Sequence, residues 1–454
     1  MEEPKNIAPI KFSDIQEAFD TILLLKDRDI VRLCIAVLIG NQMGNRRPIW
    51  LMLVSPPSSG KTTILNTLID MQLITKEGNR INPTMSISDL TENSFASGSV
   101  RTDKETSLLY KIAWGGIMVF KDFTSILSKR AEAKEIVMGQ LREIYDGAYS
   151  KKTGTGDDIT WTGKIGALAG VTQTIYSHLE SMSAMGDRFM LYEIPQPDRK
   201  ETLRFKLRQE AGGTTEDIQM PKVKEMVHKY VQQCFTALQD VRVILNEEAQ
   251  EEIIDVADFC TMARSGMMIN TYNGTIEFVP EPEGPARMFE QMLAIASTLI
   301  LMRRVDNPNA TPEELELDKN DFKMMYKIAY DSIPITRRIG LAYLAQYAQG
   351  VDSNALSLRI NYPTKVVTGW MEQLTALGVV ERVKHSGFGN WWRLKKQYRD
   401  IMIKLQGVNV IDGFMGEEDN EDVADKAWEA MKQQAPDAQI NPDVIQEMID
   451  NEDW

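Results

Sequence analysis

The stretch "PIWLMLVSPPSSGKTTILNTL" (residues 48–68) decides the fold, because it places a strand, a turn and a helix in the order that a phosphate-binding loop requires. Residues 49–54 form an apolar, strand-like run, and apolar residues return at helical spacing after the triplet Gly60-Lys61-Thr62. In such a loop, main-chain N–H groups hold the phosphates, Lys61 reaches the terminal ones, and Thr62 offers a hydroxyl to Mg²⁺. The sequence therefore predicts a binding loop for ATP and Mg²⁺.

The predicted nucleotide contacts all belong to this loop or to the start of the helix. They are Ser55, Ser58, Ser59, Gly60, Lys61, Thr62 and Thr63. The loop departs from the G-x-x-x-x-G-K-[ST] pattern at its first position, where Ser55 replaces glycine, and two prolines follow. A Gly-Lys-Thr triplet also occurs by chance, but chance rarely adds the flanking strand and helix. Nucleotide binding is therefore the favoured interpretation.

A second motif, "GGIMVFKDF" (residues 115–123), contains four apolar residues that predict a central parallel strand buried on both faces. In enzymes with a phosphate-binding loop, carboxylates at the end of such a strand hold Mg²⁺ and orient the attacking water. Asp122 is the candidate for both tasks, as metal ligand and as catalytic residue. Lys121 stands immediately before it.

With these two motifs the chain resembles the AAA+ ATPases, in particular the hairpin-bearing branch that includes MCM helicases, phage superfamily-three-like helicases and bacterial sigma-factor activators. The activators carry Asp-Glu after their apolar strand, so the register puts Lys121 at the Asp position and Asp122 at the Glu position. The sigma-factor class is less favoured, because no Gly-Ala-Phe-Thr-Gly-Ala loop occurs between residues 70 and 115. The resemblance implies an α/β fold, with a P-loop parallel-sheet core and a helical lid.

Residues 139–158 resemble the helix and hairpin that project into the ring channel of these helicases. Lys151 and Lys152 would lie near the hairpin tip and contact the nucleic acid backbone, although a solvated turn accounts for the same residues. The segment "KIGALAGVTQTI" (164–175) resembles the sensor strand, which implies that Gln173, with Thr172 beside it, reads the γ-phosphate.

Three arginines are candidates for two positions at which the family contacts nucleotide. The resemblance implies that Arg188 is an arginine finger acting on the nucleotide of a neighbouring subunit, hence in an oligomeric ring; a salt bridge to Asp187 or Glu193 is the alternative. Arg287 matches the lid arginine that reaches the γ-phosphate, and Arg264 is a weaker candidate. An ordinary surface helix position explains either of these two equally well.

The charge of the chain is unevenly distributed. The net charge is −14, yet residues 412–454 hold fourteen acidic residues against two lysines, whereas residues 335–400 hold ten Lys and Arg against four acids. The basic segment has the element order of a winged helix-turn-helix, a DNA-binding or protein-docking module. Its predicted DNA contacts are Lys365, Arg382, Lys384 and Arg393, with Val366, Trp370 and Leu374 on the core side. The acidic tail is either a docking segment for a replication protein or solvated disorder.

These observations predict five segments: an N-terminal helical segment (1–30), an AAA+ core (31–200), a helical lid (201–330), a winged helix (331–406) and an acidic tail (407–454). The predicted function is that of an ATP-dependent motor on DNA in phage or mobile-element replication, a helicase or a helicase loader or initiator, assembled as a homo-oligomeric, hexameric ring. The alternative is an ATP-binding DNA regulator that hydrolyses little or nothing. The longest apolar run, residues 292–302, is too short for a bilayer, so a cytoplasmic protein without a membrane segment is expected.

Overall fold

The structure is a computed structural model that describes residues 9–44, 46–91, 93–95, 108–152, 158–178, 188–238, 245–269, 276–278, 281–383 and 390–408. Lys384, residues 153–157 between β6 and β7, and the tail from residue 409 lie outside the described residues. The helices are α1 (Phe12–Ile22), α2 (Asp29–Gln42), α3 (Lys61–Asn66), α4 (Leu108–Lys111), α5 (Thr124–Leu127), α6 (Ala131–Tyr145), α7 (Arg199–Gly212), α8 (Glu216–Leu238), α9 (Glu247–Arg264), α10 (Ala286–Asp306), α11 (Lys319–Ser332), α12 (Ile335–Gln346), α13 (Ser353–Ile360), α14 (Thr364–Ala376) and α15 (Lys396–Val408). The strands are β1 (Trp50–Val54), β2 (Leu73–Ile74), β3 (Arg80–Ile81), β4 (Thr84–Ile87), β5 (Ile117–Phe120), β6 (Ala148–Lys152), β7 (Asp158–Thr162), β8 (Gly166–Val171), β9 (Met190–Glu193), β10 (Met268–Ile269), β11 (Ile276–Phe278), β12 (Val351–Asp352), β13 (Val380–Val383) and β14 (Trp391–Leu394).

Five parallel strands form the central sheet, in the order β4-β5-β8-β1-β9. The chain is therefore α/β with a central parallel sheet, as the sequence predicts. Because the strands are parallel, their carboxyl ends share one edge of the sheet, here called the carboxyl edge, and their amino ends share the opposite amino edge. Ligands of open parallel sheets bind beyond the carboxyl edge, so this is where a site is expected.

Both faces of the sheet are covered, which explains why β1 is apolar throughout. Alternate residues of a strand point to opposite faces. Leu51 and Leu53 join an apolar cluster with α1, α2 and the helices that follow residue 216. Trp50 and Met52 join a second cluster with α6 and the β6-β7 hairpin. The sheet is thus the middle layer of three.

The β6-β7 hairpin that the sequence predicts is present, and Lys151 and Lys152 are the last residues of β6, opposite Ile159 and Asp158. The segment after β9 is mainly helical, as expected of residues 201–330, and includes a short hairpin of β10 and β11. Helix α11 runs across the predicted boundary at residue 330. Its last residues protect the free edge of the sheet: Ser332 Oγ accepts from Leu191 N at 2.9 Å and Asp331 Oδ2 from Glu193 N at 2.8 Å.

The carboxy-terminal module consists of α12, β12, α13, α14, β13, β14 and α15, with a three-stranded sheet in the order β12-β14-β13. One expectation for α14 is wrong, because Val366 is 41 % exposed and Val367 is the buried residue. A helical residue and its neighbour differ by about 100° around the axis, so an error of one position moves a side chain from core to solvent. Leu374 is buried as expected, and Trp370 is half-buried against Tyr362.

None of the described helices combines the length and the apolar character that crossing a membrane requires.

Candidate functional site

The loop between β1 and α3 lies at the carboxyl edge of the sheet and is held in an unusual backbone conformation. Ser58 and Gly60 have φ angles of 60° and 86°, in the left-handed region that favours glycine. A Cβ at Gly60 would also come within 2.6 Å of the Leu23 side chain. Gly60 is therefore required twice, for its φ angle and for the close approach of the segment after α1.

Lys61 is folded into this loop. Its Nζ donates to Ser55 O at 2.6 Å, Ser55 Oγ at 2.8 Å and Pro56 O at 2.8 Å, and the side chain is almost fully buried. Ser59 Oγ lies next to both Lys61 Nζ and Ser55 Oγ, whereas Ser58 is exposed. The loop thus surrounds a buried cation with oxygen atoms, an arrangement that phosphate oxygens are able to replace.

Asp122 lies on the neighbouring part of the same edge. Burial lowers the pKa of Lys61 to about 8, and the negative charge of Asp122 opposes this shift, so the two groups are within electrostatic reach of each other. Asp122 is exposed, and its Oδ1 accepts from Thr124 N at 2.9 Å. A buried lysine and an exposed carboxylate therefore face the space beyond the loop.

The end of β8 completes this edge. Thr172 Oγ1 lies 3.4 Å from Thr124 Oγ1, which ties the turn after β8 to the turn after β5. Gln173 is exposed and begins a 3-10 helix, Gln173–His178. The predicted catalytic residues Lys61, Asp122 and Gln173 thus follow three strands of one sheet and share its carboxyl edge.

The two threonines after Lys61 have different surroundings. Thr62 is exposed, with its hydroxyl available to a ligand. Thr63 is buried, and its Oγ1 donates to Glu216 Oε1 at 2.8 Å, at the start of α8. Glu216 had no motif to reveal it in the sequence, because it is more than 150 positions away. Its contact links the loop to the helices that follow the sheet.

Lys121 does not pair with Asp122 in the described part of the chain; the Asp122 carboxylate bonds to the Thr124 main chain instead. The positive charge of Lys121 acts on Asp70, in the turn after α3. A hydrogen bond from Lys224 is the main cause that lowers the pKa of Asp70, and Lys121 adds to it. Lys121 thus belongs to the surroundings of Asp70.

A polar cavity of about 750 Å³ adjoins the loop. Ser55, Pro56 and Gln173 form one wall, and residues 26–29 and 193–196 line it further. Charged side chains of α11 and α12 close the far side, where Arg338 pairs with Asp331 at 3.3 Å. The sequence does not reveal this cavity, because its walls come from segments more than 300 positions apart and carry no common motif.

The arginines lie elsewhere. Arg188 is 4 % exposed, donates to Asp146 Oδ2 at 2.7 Å and lies over the Tyr145 ring at 5.3 Å. The acidic partner of Arg188 among the described residues is thus Asp146, not Glu193, and Asp187 lies outside them. Because Met190 of β9 pairs with Leu51 near the start of β1, Arg188 is at the amino edge of the sheet. The four- to six-residue strands separate it from Lys61 by roughly 13–20 Å.

Arg264 and Arg287 join Arg188 at the amino edge. Arg264 pairs with Glu283 at 2.8 Å, and Arg287 lies 4.0 Å from the same carboxylate. Burial raises the pKa of Tyr145, while the charges of Arg47, Arg287, Arg188 and Arg264 oppose that rise, so all of them act on this side chain. The three arginines therefore lie together and at a distance from the phosphate-binding loop of their own chain.

The predicted DNA contacts occupy two places. Lys151 Nζ donates to Asn93 Oδ1 at 2.6 Å, beside the β6-β7 turn. Lys365 is exposed in the first turn of α14. Arg382 and Arg393 lie on opposite faces of the β13-β14 pair, since Arg382 is opposite Trp392 and Arg393 opposite Glu381, with which it forms an ion pair at 2.9 Å. They do not form a single cluster.

No family model matches the chain, and a search of curated proteins finds no similar sequence.

Proposed function

We propose that the chain is an AAA+ ATPase that hydrolyses ATP with Mg²⁺ and remodels DNA as an oligomeric ring, as a helicase or a helicase loader or initiator in replication of a phage or mobile element. One observation carries the proposal: the buried Lys61, the carboxylate of Asp122 and the Thr172-Gln173 turn share the carboxyl edge. This is the edge at which parallel sheets bind ligands.

The loop and the cavity fit the two halves of ATP. The triphosphate would displace Ser55 and Pro56 oxygens from Lys61 and take their place as partners of the ammonium group. The cavity begins at Ser55 and Pro56 and has room for a base and a ribose. The polar residues of its walls offer hydrogen bonds to both.

Thr62 and Asp122 fit a magnesium ion. Mg²⁺ is usually held by one or two carboxylates together with substrate phosphates, so one carboxylate and one hydroxyl suffice in the presence of ATP. The described residues contain no cluster of three or more acidic, histidine or cysteine ligands, in keeping with a site that depends on the phosphates. When bound, the ion neutralises charge on the phosphates. Asp122 orients the attacking water and accepts its proton, while Gln173 contacts the γ-phosphate.

The positions of the arginines support an assembly of several copies. Arg188, Arg264 and Arg287 lie at the amino edge, away from their own loop, so they reach a nucleotide only when a second copy presents it. Arginine stabilises the charge that develops during phosphoryl transfer. Contacts from head to tail of this kind form a closed ring when the rotation between copies permits it. A hexamer is the proposed ring.

The carboxy-terminal module and the β6-β7 hairpin are the proposed DNA contacts. The module has the helix and strand order of a winged helix, with Lys365 exposed on the helix that would enter the major groove. Lys151 and Lys152 add a basic pair beside the hairpin turn. Basic residues at both places would bind the phosphate backbone.

A second candidate function is that of an ATP-binding regulator which assembles on DNA without turnover. Lys121 favours it, because this residue stands where the resembling family carries the acid beside the metal ion. In the structure the charge of Lys121 acts on Asp70, so Asp122 is left as the one carboxylate of the turn after β5.

The measurement that separates the two candidates is ATP turnover by the full-length chain with Mg²⁺, alone and with single-stranded or duplex DNA. We expect turnover that requires Mg²⁺ and increases with DNA. ATP binding without turnover in any of these conditions would select the regulator instead. Strand displacement on a forked substrate would select a helicase over a loader or initiator.

ATP binding is expected to weaken at alkaline pH. Because burial lowers the pKa of Lys61 to about 8, this side chain loses its charge as pH rises through that value and no longer attracts phosphate. The dissociation constant for ATP should therefore increase by about 10- to 30-fold between pH 7.5 and pH 9.5. Equilibrium titration with a fluorescent ATP analogue measures it.

Lys61→Ala is the control. This variant should bind ATP weakly, and its affinity should not change with pH. Burial also lowers the pKa of Lys164 to about 8, but Lys164 precedes β8 at the amino edge and is retained in this variant. If ATP binding by Lys61→Ala still weakened at alkaline pH, a group other than Lys61 would be responsible for the effect.

A further inference from the structure

Helix α7 has no buried residue over its 14 positions. Leu203 and Leu207, one turn apart, are 62 % and 65 % exposed. By helical spacing they share the outward face with Lys200 and Arg204. This combination of two leucines and two basic residues will be called the α7 face.

Contacts with the other described residues do not explain why α7 is a helix. Asp198 caps its first turn through Lys200 N and Glu201 N, and Gln209 Nε2 donates to Thr21 O at 2.6 Å. An isolated helix of this length is marginal in water, and most helices owe their stability to packing of an apolar face. Adjacent leucines left in solvent are typical of a surface that another protein covers.

Helix α6 presents a surface with the complementary character. By the same helical spacing its outward stripe contains Glu132, Glu135, Ile136 and Glu143, with Ile136 43 % exposed and the exposed Arg142 two turns after Glu135 at its margin. Gly139 lies within this stripe, and a Cβ there would meet no atom within 4 Å. The stripe thus offers an apolar centre with room for leucine side chains and an acidic border. It will be called the α6 face.

The two faces are on opposite sides of the molecule. The last residue of α6, Tyr145, packs against Trp50, on one face of the sheet. Helix α7 contacts Thr21 of α1, and α1 belongs to the cluster on the other face. The α7 face therefore cannot pack on the α6 face of its own chain. A contact between them requires two copies and is heterologous, with a different surface from each.

We propose that the α7 face of one copy packs on the α6 face of the next copy, with Leu203 and Leu207 against Ile136 and Gly139. Lys200 and Arg204 then lie opposite the acidic border of α6, which sets the orientation of the contact. This inference rests on the proposed function in one respect: it supplies the contact that assembles the ring.

The contact also relates the loop of one copy to the arginines of the next. Gln209 of α7 bonds to Thr21, and Leu23 of the same segment packs on Gly60 of the phosphate-binding loop. At the other surface, α6 ends next to Asp146, the partner of Arg188. The α7-α6 contact thus places the loop side of one copy against the helix that leads to the arginine side of the next, and Ile136 lies about 15 Å along that helix from Asp146.

Charge reversal on each face, separately and together, tests the contact in the full-length chain. Sedimentation velocity, with and without ATP, measures the assembly. Lys200→Glu/Arg204→Glu should weaken assembly by about tenfold or more, and so should Glu132→Lys/Glu135→Lys, because each leaves like charges opposite one another. The quadruple variant carries both reversals in every copy, so opposite charges face each other again. Its assembly should return to within about threefold of wild type.

Lys111→Glu/Lys319→Glu is the matched control, since it makes the same change in net charge at exposed positions on other helices, and its assembly should equal that of wild type. The inference is overturned if the quadruple variant is no better than the double variants, if only the α7 reversal has an effect, or if wild type is monomeric at all concentrations.

ATP binding by the same variants keeps this test separate from the proposed function. None of the exchanged residues belongs to the loop or the cavity, so each variant should bind ATP as wild type does. A charge-exchange pattern as predicted, in a chain that binds no ATP, would leave the contact in place and refute the nucleotide site.

Discussion

Asp122→Asn is expected to lower the rate of ATP hydrolysis by about 10²–10⁴-fold, because asparagine cannot accept the proton of the attacking water. The affinity for ATP should stay within about threefold of wild type, since Lys61 and its loop are unchanged. Asparagine Oδ1 is able to keep the hydrogen bond from Thr124 N, so the turn after β5 should retain its conformation. Single-turnover kinetics with saturating ATP would separate the chemical step from binding.

The charge of Asp122 has a second measurable effect. It opposes the burial that lowers the pKa of Lys61, so its removal should shift the alkaline loss of ATP binding to lower pH. Asp70→Asn is the matched control, an exposed aspartate near α3 whose charge is paired with Lys224. It should keep both the rate and the pH profile of wild type. Normal turnover by Asp122→Asn would show that another group activates the water.

What the sequence predicted well depends on neighbours along the chain. The loop from Ser55 to Gly60 follows from one continuous motif, and the strand ending at Phe120 follows from a short apolar run. The hairpin after α6 was equally accessible, because a turn joins two strands close in sequence. In each case local spacing and side-chain chemistry suffice to place the residues at an edge of the sheet.

What the sequence could not predict depends on how distant segments meet. No local sequence pattern places Arg188 at the amino edge, because its position results from the parallel pairing of β9 with β1. Glu216 contacts Thr63 only because α8 returns to the loop. The exposure of Val366 shows a finer limit, since the apolar pattern of α14 predicts burial one residue before the position that is buried, Val367.

The position of the arginines at the amino edge determines which catalytic role they are able to play. An arginine near its own phosphate-binding loop would support catalysis within one chain, but Arg188 and Arg287 lie at the amino edge, opposite the loop. Any role in hydrolysis therefore belongs to pairs of copies. A purely structural role for Arg188 is the alternative, since this side chain is buried and forms an ion pair with the half-exposed Asp146.

Two variants distinguish these roles of Arg188. Arg188→Ala removes the arginine, and Asp146→Asn removes its partner but retains the positive charge. If the ion pair is only structural, both variants should lower the thermal stability and the ATP turnover together. If Arg188 acts on the neighbouring nucleotide, Arg188→Ala should lower turnover by about 10³-fold or more, whereas Asp146→Asn should keep most of it. Thermal unfolding of each variant, measured beside turnover, identifies any loss of folded protein.

Mixing two inactive variants provides the direct test of action between copies. Lys61→Ala should bind ATP too weakly for turnover, and Arg188→Ala should bind it without hydrolysis. In a mixed ring, a site is complete where an intact loop from an Arg188→Ala copy meets an intact arginine from a Lys61→Ala copy. Random assembly of equal amounts makes about a quarter of the interfaces complete, so turnover should recover to about a quarter of wild type. Failure to recover, in mixtures shown by sedimentation to contain both variants in one assembly, would mean that Arg188 does not act on a neighbouring nucleotide.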